Sequence, residues 1–307
     1  MRPRVALLGL DWGTTTLRAY QIDGAGVVLG ERSAPSGILL VENGNFAGAL
    51  TDLVADWLAA DKNLPIIASG MIGARQGWRE VPYADLPAGP DELAPIQFDA
   101  SFGAQFDNLT RPIHFIPGLA YRNAQGVPDV MRGEETQIAG AGGDGLYLLP
   151  GSHSKWVLVI GGRITWFATF MTGELFAALK DHTILGRMMV GTADNEEAFH
   201  RGVACGHDSG ATLQALFSAR TLALFGDLPE SGVAAYLSGL LIGAEIAEAR
   251  ALVDNATTMI TIIGEAALSQ RYQMALSACG LTGQLGPRQA AAQGQWRIAM
   301  AAGLVAA

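Results

Sequence analysis

Asp11-Trp12-Gly13-Thr14-Thr15-Thr16 places one carboxylate, one glycine and three hydroxyls within six residues, directly after the apolar run Val5 to Leu10. Gly13 lets the backbone approach a ligand closely. A tight turn at this point aims N–H groups and the hydroxyls of Thr14, Thr15 and Thr16 at one spot. That set suits phosphate oxygens, while Asp11 suits a Mg²⁺ held through its waters. An ordinary β-hairpin with a polar tip would use the same residues, so the phosphate reading needs a second feature. Gly151-Ser152-His153-Ser154-Lys155 supplies one: it follows the apolar run Leu146 to Leu149 and offers hydroxyls, N–H groups and a cation that can neutralise phosphate charge.

The elements around the two turns follow one pattern. Val5 to Leu10 reads as a central strand covered on both faces. The chain through Ile22 reads as its hairpin partner, Asp23-Gly24-Ala25-Gly26 as a turn and Val27 to Ser33 as a third strand. A helix is expected over about 45–60, with Phe46, Leu50, Leu53, Val54 and Trp57 on one face. Pro65 to Ser69 reads as a short buried strand and 79–110 as loop or partly extended chain. Ile113 to Ile116 is another strand, and a helix of small residues follows Met131 to Gln137. The series restarts after glycines 140, 142, 143 and 145. Strands are expected at 146–149, 156–160 and 163–170, with Gly161-Gly162 as a two-residue hairpin turn. A helix capped by Thr172 comes next, and helices dominate to about Asp254. Met259 to Ile263 is a strand, and Glu265 to Cys279 a helix stopped by Gly280. Strand–turn–strand–strand, helix, strand, helix thus occurs twice. The expectation is a duplicated α/β fold, with domains at 1–140 and 141–307 whose polar turns face each other across a cleft.

The 307 residues suffice for two domains with sizeable cores. A formal net charge of −9 argues against a nucleic-acid or anionic-membrane partner, though not against a small anion bound locally. Cys205 and Cys279 have no partner spacing, and the five histidines have no ligand spacing, so neither a disulfide framework nor a zinc site is expected. The apolar run Val233 to Ala247 is interrupted by Tyr236, Ser238 and Glu245, and the N-terminal run is too short for a signal-peptide core. No membrane span is expected, and the expected location is cytoplasmic.

Some formal motifs fail on context. Gly140-x-Gly142-x-x-Gly145 has the spacing of a dinucleotide fingerprint, but it stands after a helix and before a strand, the reverse of the required order. Ser152-x-x-Lys155 would pair as the nucleophile and base of a penicillin-binding enzyme, yet neither Ser-Asp-Asn nor Lys-Thr-Gly occurs. No Walker A sequence is present. Gly239-x-x-x-Gly243 reads as a stripe along which two helices pack closely.

Asp11 to Arg18 resembles the first phosphate loop of the sugar-kinase, heat-shock-ATPase and actin superfamily. More narrowly, 69–78, 131–137, 149–157, 170–176 and 184–186 resemble 2-dehydro-3-deoxygalactonokinases. The resemblance implies two ribonuclease H-like (actin-like ATPase) domains with an ATP and substrate cleft between them. It also implies ATP-dependent phosphorylation of the terminal (6-) hydroxyl of 2-dehydro-3-deoxy-D-galactonate, in galactonate catabolism. The partners implied are ATP with Mg²⁺ and the sugar acid, with a homodimer as the candidate assembly. Another sugar substrate of the superfamily is the alternative, and an ATP-driven switch protein the more distant one. Asp11 would organise Mg²⁺, while Gly13 to Thr16 and Gly151 to Lys155 would hold phosphates. Gly264 and Glu265, where a strand opens into a helix, would meet the adenosine. The base that accepts the hydroxyl proton would be Glu135, with Glu134 next. Ser69, Gly70, Met71, Arg75 and Trp78 would contact the sugar acid, Arg75 taking the carboxylate, with help from Thr172 and Glu174.

Overall fold

Asp11 and Ser69 lie side by side because β1 (Val5–Trp12) runs parallel to β4 (Ile66–Gly70), with Trp12 opposite Gly70 at the strand ends. The computed structural model describes residues 4–101, 110–190, 195–253 and 257–306. β1 turns into the antiparallel β2 (Leu17–Asp23), and β3 (Val28–Ala34) continues the meander. Pairing of Trp12 with Leu17 leaves 13–16 as the connecting turn, closed by the Gly13 N–H donating to the Thr16 carbonyl at 2.9 Å. α1 (Phe46–Ala60) starts at Asn45, whose side chain accepts the Gly48 N–H, and it buries Phe46, Leu50, Val54 and Trp57.

β4 is followed by a short turn over Met71–Gly73, β5 (Tyr83–Asp85), β6 (Ile96–Ser101) and β7 (Thr110–Phe115). Next come β8 (Gly118–Arg122), β9 (Pro128–Met131) and α2 (Glu134–Ala141). The stretch expected as loop therefore contains β5 and β6. Both are short, and the Pro and Gly around them hide the alternation from a sequence reading; 102–109 of that stretch lies outside the described residues. The first sheet has the order β3-β2-β1-β4-β7-β6, and β5-β8-β9 form a small separate sheet.

β10 (Gly145–Leu149), β11 (Ser154–Ile160) and β12 (Arg163–Phe170) then lead into α3 (Thr172–His182). α4 (Glu196–Ser209), α5 (Thr212–Leu216), α6 (Ser218–Leu224) and α7 (Val233–Leu252) follow. The helical stretch was expected to end at about Asp254, which lies outside the described residues. β13 (Met259–Ile262), α8 (Ala266–Ala278), β14 (Thr282–Leu285) and α9 (Ala290–Ala301) complete the chain. The second sheet has the order β12-β11-β10-β13-β14. Third, second, first, fourth, fifth is also the order of β3-β2-β1-β4-β7, so the duplication inferred from the sequence is present in the topology.

Two compact units result: Met1–Asp144 with Val159–Trp166 and Pro287–Ala307, and Gly145–Leu158 with Phe167–Gly286. Two segments expected in the second domain thus pack with the first unit. For 159–166 the reason is a bridge in which Ala88 and Ile164 exchange N–H···O bonds at 3.0 and 2.8 Å, with Arg163 paired to Glu92. For α9 it is backbone contact with α2: a Cβ on Gly140 would stand 1.8 Å from the Ala290 carbonyl oxygen, and one on Gly294 1.8 Å from that of Thr136. In the second unit the same device joins α4 to α7. A Cβ on Gly239 would lie 2.1 Å from the Phe199 oxygen, and one on Gly243 2.2 Å from that of Val203. The segment 230–252 is apolar and long enough to cross a bilayer, yet 89% of its most apolar window is buried inside the protein.

Gly294→Ala must push α9 away from α2, because the atom it meets is backbone. Overpacking of this kind costs about 1–3 kcal/mol. Urea unfolding is expected to show a lowered midpoint with an unchanged slope, and an unaltered midpoint would refute the contact.

Candidate functional site

In the first unit the chemistry-bearing residues gather at the C-terminal ends of β1 and β4. Thr14 and Thr15 are exposed at the tip of the turn. The turn is braced from behind: the Ile38 and Leu39 N–H groups donate to the Gly13 and Thr14 carbonyls at 3.0 and 3.1 Å, and a Cβ on Gly37 would lie 2.2 Å from the Thr15 nitrogen. Trp12 is buried and donates its ring N–H to the Ser36 carbonyl at 2.7 Å. Backbone and hydroxyls of the turn are therefore held in place with their polar tips outward.

Asp11 has a side chain 14% exposed, and its nearest charge is Arg18, at 3.5 Å. Burial pushes its pKa up, and the Arg18 guanidinium offsets this only in part. A carboxylate left short of positive charge is suited to a cation. Among the described residues no group of three or more His, Cys, Asp or Glu side chains could hold a metal unaided. One carboxylate is what Mg²⁺ uses when nucleotide phosphates and waters supply its other ligands.

The 69–78 segment divides by function. Ser69 is buried; its hydroxyl donates to the Leu10 carbonyl at 3.4 Å and accepts from the Gln295 amide at 2.9 Å. Trp78 packs on Phe46 with ring centroids 6.1 Å apart and edge-on to Trp12 at 6.2 Å. Of these two residues, expected to touch the sugar acid, Ser69 is engaged inside the sheet and Trp78 is half-buried in an aromatic cluster. Gly70 (φ 89°) leaves the strand in a conformation that glycine tolerates, against the Trp12 carbonyl, and Arg75 is exposed.

α2 begins against this loop: a Cβ on Gly133 would stand 3.2 Å from the Gly70 Cα. Glu134, half-buried, accepts the Arg132 N–H at 3.0 Å. Glu135 is 0% exposed. One of its oxygens accepts the Gly133 N–H at 2.6 Å and the other the Thr136 hydroxyl at 2.9 Å. It borders a cavity of about 120 Å³ lined mainly by apolar residues such as Leu93, Ile138 and Ile164. Burial, then the neighbouring Glu134 charge, raise the Glu135 pKa to about 7. That value suits a general base, while Glu134 is the carboxylate of the pair with solvent exposure.

The second unit repeats the arrangement at the ends of β10 and β13. Gly151, Ser152 and His153 form the open part of the turn, and His153 pairs with Glu174. Ser154 and Lys155 belong to β11 and are buried: Ser154 bonds the Tyr272 hydroxyl at 2.9 Å, and Lys155 donates to the Thr169 hydroxyl at 2.6 Å. Of the five residues expected to hold phosphate, the open turn contains the first three, because β11 starts at Ser154. Gly264, exposed, abuts Pro150, where a Cβ would lie 3.3 Å from the Pro150 Cδ. The expected adenosine turn and phosphate turn are therefore neighbours within this unit.

Glu265 caps α8 with both carboxylate oxygens, accepting the Ala267 and Leu268 N–H groups at 3.0 Å, and these bonds hold its pKa below the usual range. Its carboxylate is committed to the helix. α3 starts at Met171 without a side-chain cap, so Thr172 is its first residue rather than its N-cap. Sequence reasoning missed Gln295, whose amide donates at 2.8 Å to the Leu10 carbonyl and so braces both strand ends. It lies 285 residues from Leu10, and no local pattern marks it.

Comparison with known proteins agrees with this architecture. Residues 11–298 match the family described as 2-keto-3-deoxy-galactonokinase. The chain is 35% identical over 276 residues to the 2-dehydro-3-deoxygalactonokinase of Escherichia coli K12, covering 89% of this chain and 90% of that protein. A solved structure of a 2-dehydro-3-deoxygalactonokinase-type protein from Sinorhizobium meliloti superposes with a TM-score of 0.82 at 35% identity, covering 96% of this chain and 98% of that one. The component A of Acidaminococcus fermentans (R)-2-hydroxyglutaryl-CoA dehydratase shares the fold at a TM-score of 0.53 and 12% identity, covering 96% of each chain.

The Glu135 shift carries a stability consequence. The folded protein keeps its proton up to about pH 7, whereas the unfolded chain releases it near 4.5. The unfolded state therefore binds fewer protons between those values, and this residue's contribution to stability falls as pH rises through that window and levels above it. Glu135→Gln cannot titrate. Urea unfolding across pH 4.5 to 8 is expected to show the variant gaining on the wild type up to about pH 7 and then running parallel; a constant difference throughout would refute the assignment.

Proposed function

The chain belongs to the 2-keto-3-deoxy-galactonokinase family, and from that premise we propose that it transfers the γ-phosphate of ATP to the terminal (6-) hydroxyl of 2-dehydro-3-deoxy-D-galactonate, as an enzyme of galactonate catabolism. The family match across residues 11–298 carries the choice of substrate. The repeated strand order, with a polar turn after the first strand of each sheet, supports the choice of reaction.

Phosphoryl transfer asks little covalent chemistry of a protein; positioning and charge stabilisation carry the rate. The N–H groups and hydroxyls of Gly13 to Thr16 hold phosphate oxygens from the first unit. The backbone of Gly151 to His153 does so from the second, with Gly264 against the adenosine. Lys155 supports that turn from within the sheet. Asp11 would hold Mg²⁺, which would supply positive charge to the phosphates. Gly70 and Met71 line the acceptor side, and Arg75, exposed on the same loop, takes the sugar-acid carboxylate. Glu134 accepts the hydroxyl proton at the start of α2. Thr172 and Glu174 serve the nucleotide side rather than the sugar, since Glu174 is already engaged with His153.

A coupled assay of ATP consumption with the galactonate and gluconate forms of the acid tests the substrate; consumption with neither would overturn the reading. Glu134→Gln is expected to lower kcat by at least about 100-fold, the scale of general-base catalysis, and by more than Glu135→Gln. The opposite ranking would return the base to Glu135. Asp11→Asn is expected to fold normally and lose most turnover, so normal turnover in that variant would exclude the Mg²⁺ assignment.

A further inference from the structure

Glu245 lies in the middle of α7, a largely buried apolar helix, and is 3% exposed. Nothing in the catalytic scheme uses it. One of its oxygens accepts the Trp156 ring N–H at 2.9 Å and the other the Tyr272 hydroxyl at 2.7 Å. The hydroxyls of Ser154 and Thr172 bond to it as well. Burial pushes its pKa up, and these hydrogen bonds offset that only in part.

The residues it gathers are not a random set. Ser154 and Trp156 begin β11, immediately after the Gly151 to His153 turn. Thr172 begins α3, whose next two residues close on that turn from outside. A Cβ on Gly173 would stand 2.4 Å from the Gly151 carbonyl oxygen, and the Glu174 N–H donates to the Ser152 carbonyl at 3.0 Å. Tyr272 stands on α8, the helix that opens at Gly264 and Glu265. One carboxylate thus ties together three elements that border the nucleotide-facing turns. A carboxylate oxygen accepts hydrogen bonds, so Glu245 sets the direction of the Trp156 and Tyr272 donors, while the single Ser154 proton goes either to it or to the Tyr272 oxygen 2.9 Å away.

We propose that Glu245 is the positioning residue of the nucleotide side, holding the 151–153 phosphate turn and the Gly264 turn in one geometry through Ser154, Trp156, Thr172 and Tyr272. This rests on reading those turns as the nucleotide site. Glu245→Gln keeps the size of the side chain but turns one acceptor into a donor, which no longer matches Trp156 or Tyr272. Tyr272→Phe removes a single member of the set and leaves the carboxylate in place.

The test measures binding of Mg·ADP by titration calorimetry, without sugar acid, beside the separate KM values for ATP and for the acid. Glu245→Gln is expected to weaken ADP binding and raise the KM for ATP by roughly tenfold, about the loss of a hydrogen bond to a charged group. The KM for the acid should stay within about twofold, well below one such hydrogen bond. Tyr272→Phe is expected to move the same two quantities in the same direction by less. A purely structural role would lower the melting temperature and the active fraction and leave both nucleotide constants alone; that result in either variant overturns the proposal. Should Glu245→Gln not fold, Tyr272→Phe decides on the same criterion. Wild-type protein that binds ADP but phosphorylates no sugar acid would fail the proposed reaction without touching this inference.

Discussion

Each unit depends on a central strand whose two edges are both occupied. β1 is hydrogen-bonded to β2 on one side and β4 on the other, and β10 holds the same place between β11 and β13. Such a strand, paired on both edges and covered on its faces, is mostly apolar and presents its polar chemistry where it ends. Its C-terminal end lies beside that of its parallel neighbour. The register that sets Trp12 against Gly70 therefore brings the first turn and the 69–78 loop together, and the bond from the Ile263 N–H to the Leu148 carbonyl does the same for the second turn and Gly264.

Three desolvated carboxylates show how one physical cost serves different ends. Burial raises the pKa of Asp11, Glu135 and Glu245 alike. Asp11 has a single cation at 3.5 Å and keeps some exposure, which leaves room for a further positive charge. Glu135 accepts from the N–H groups of Gly133 and Glu135 and from the Thr136 hydroxyl beside a mainly apolar cavity, and burial with the Glu134 charge outweighs them. Glu245 is surrounded by donors, the arrangement that favours the charge. Counting donors around each group, rather than burial alone, separates a ligand-binding role from a structural or positioning one.

The chain's 39 glycines at first suggest turns, and two uses stand out among the described residues. Some do sit in turns, as at Gly161 and Gly162 with positive φ. Others, including Gly140, Gly294, Gly202, Gly206, Gly239 and Gly243, lie inside helices where a neighbouring backbone comes within the radius of a Cβ. These contacts join α2 to α9 and α4 to α7, and the first of them brings the C-terminal helix, with Gln295, to the floor of the site.

Much of this was legible in the sequence. Apolar runs ending in Asp11-Trp12-Gly13 and in Pro150-Gly151 specify strands that stop at polar turns, and the two-fold recurrence of that pattern specifies the duplicated α/β fold. Residues determined that way depend on neighbours a few positions away, through backbone hydrogen bonding and side-chain alternation. What only the tertiary structure decided is which polar groups look outward. Ser69, Ser154 and Lys155 have the types of ligand-binding residues but are buried, and Trp78 is half-buried against Phe46 and Trp12, while Glu134 is more exposed than its neighbour. The residues that orient them arrive from afar: Gln295 lies 285 positions from Leu10, and Glu245 lies 89 from Trp156. Burial and directional hydrogen bonding across such distances leave no local trace, because the energy that places each group belongs to the packed whole.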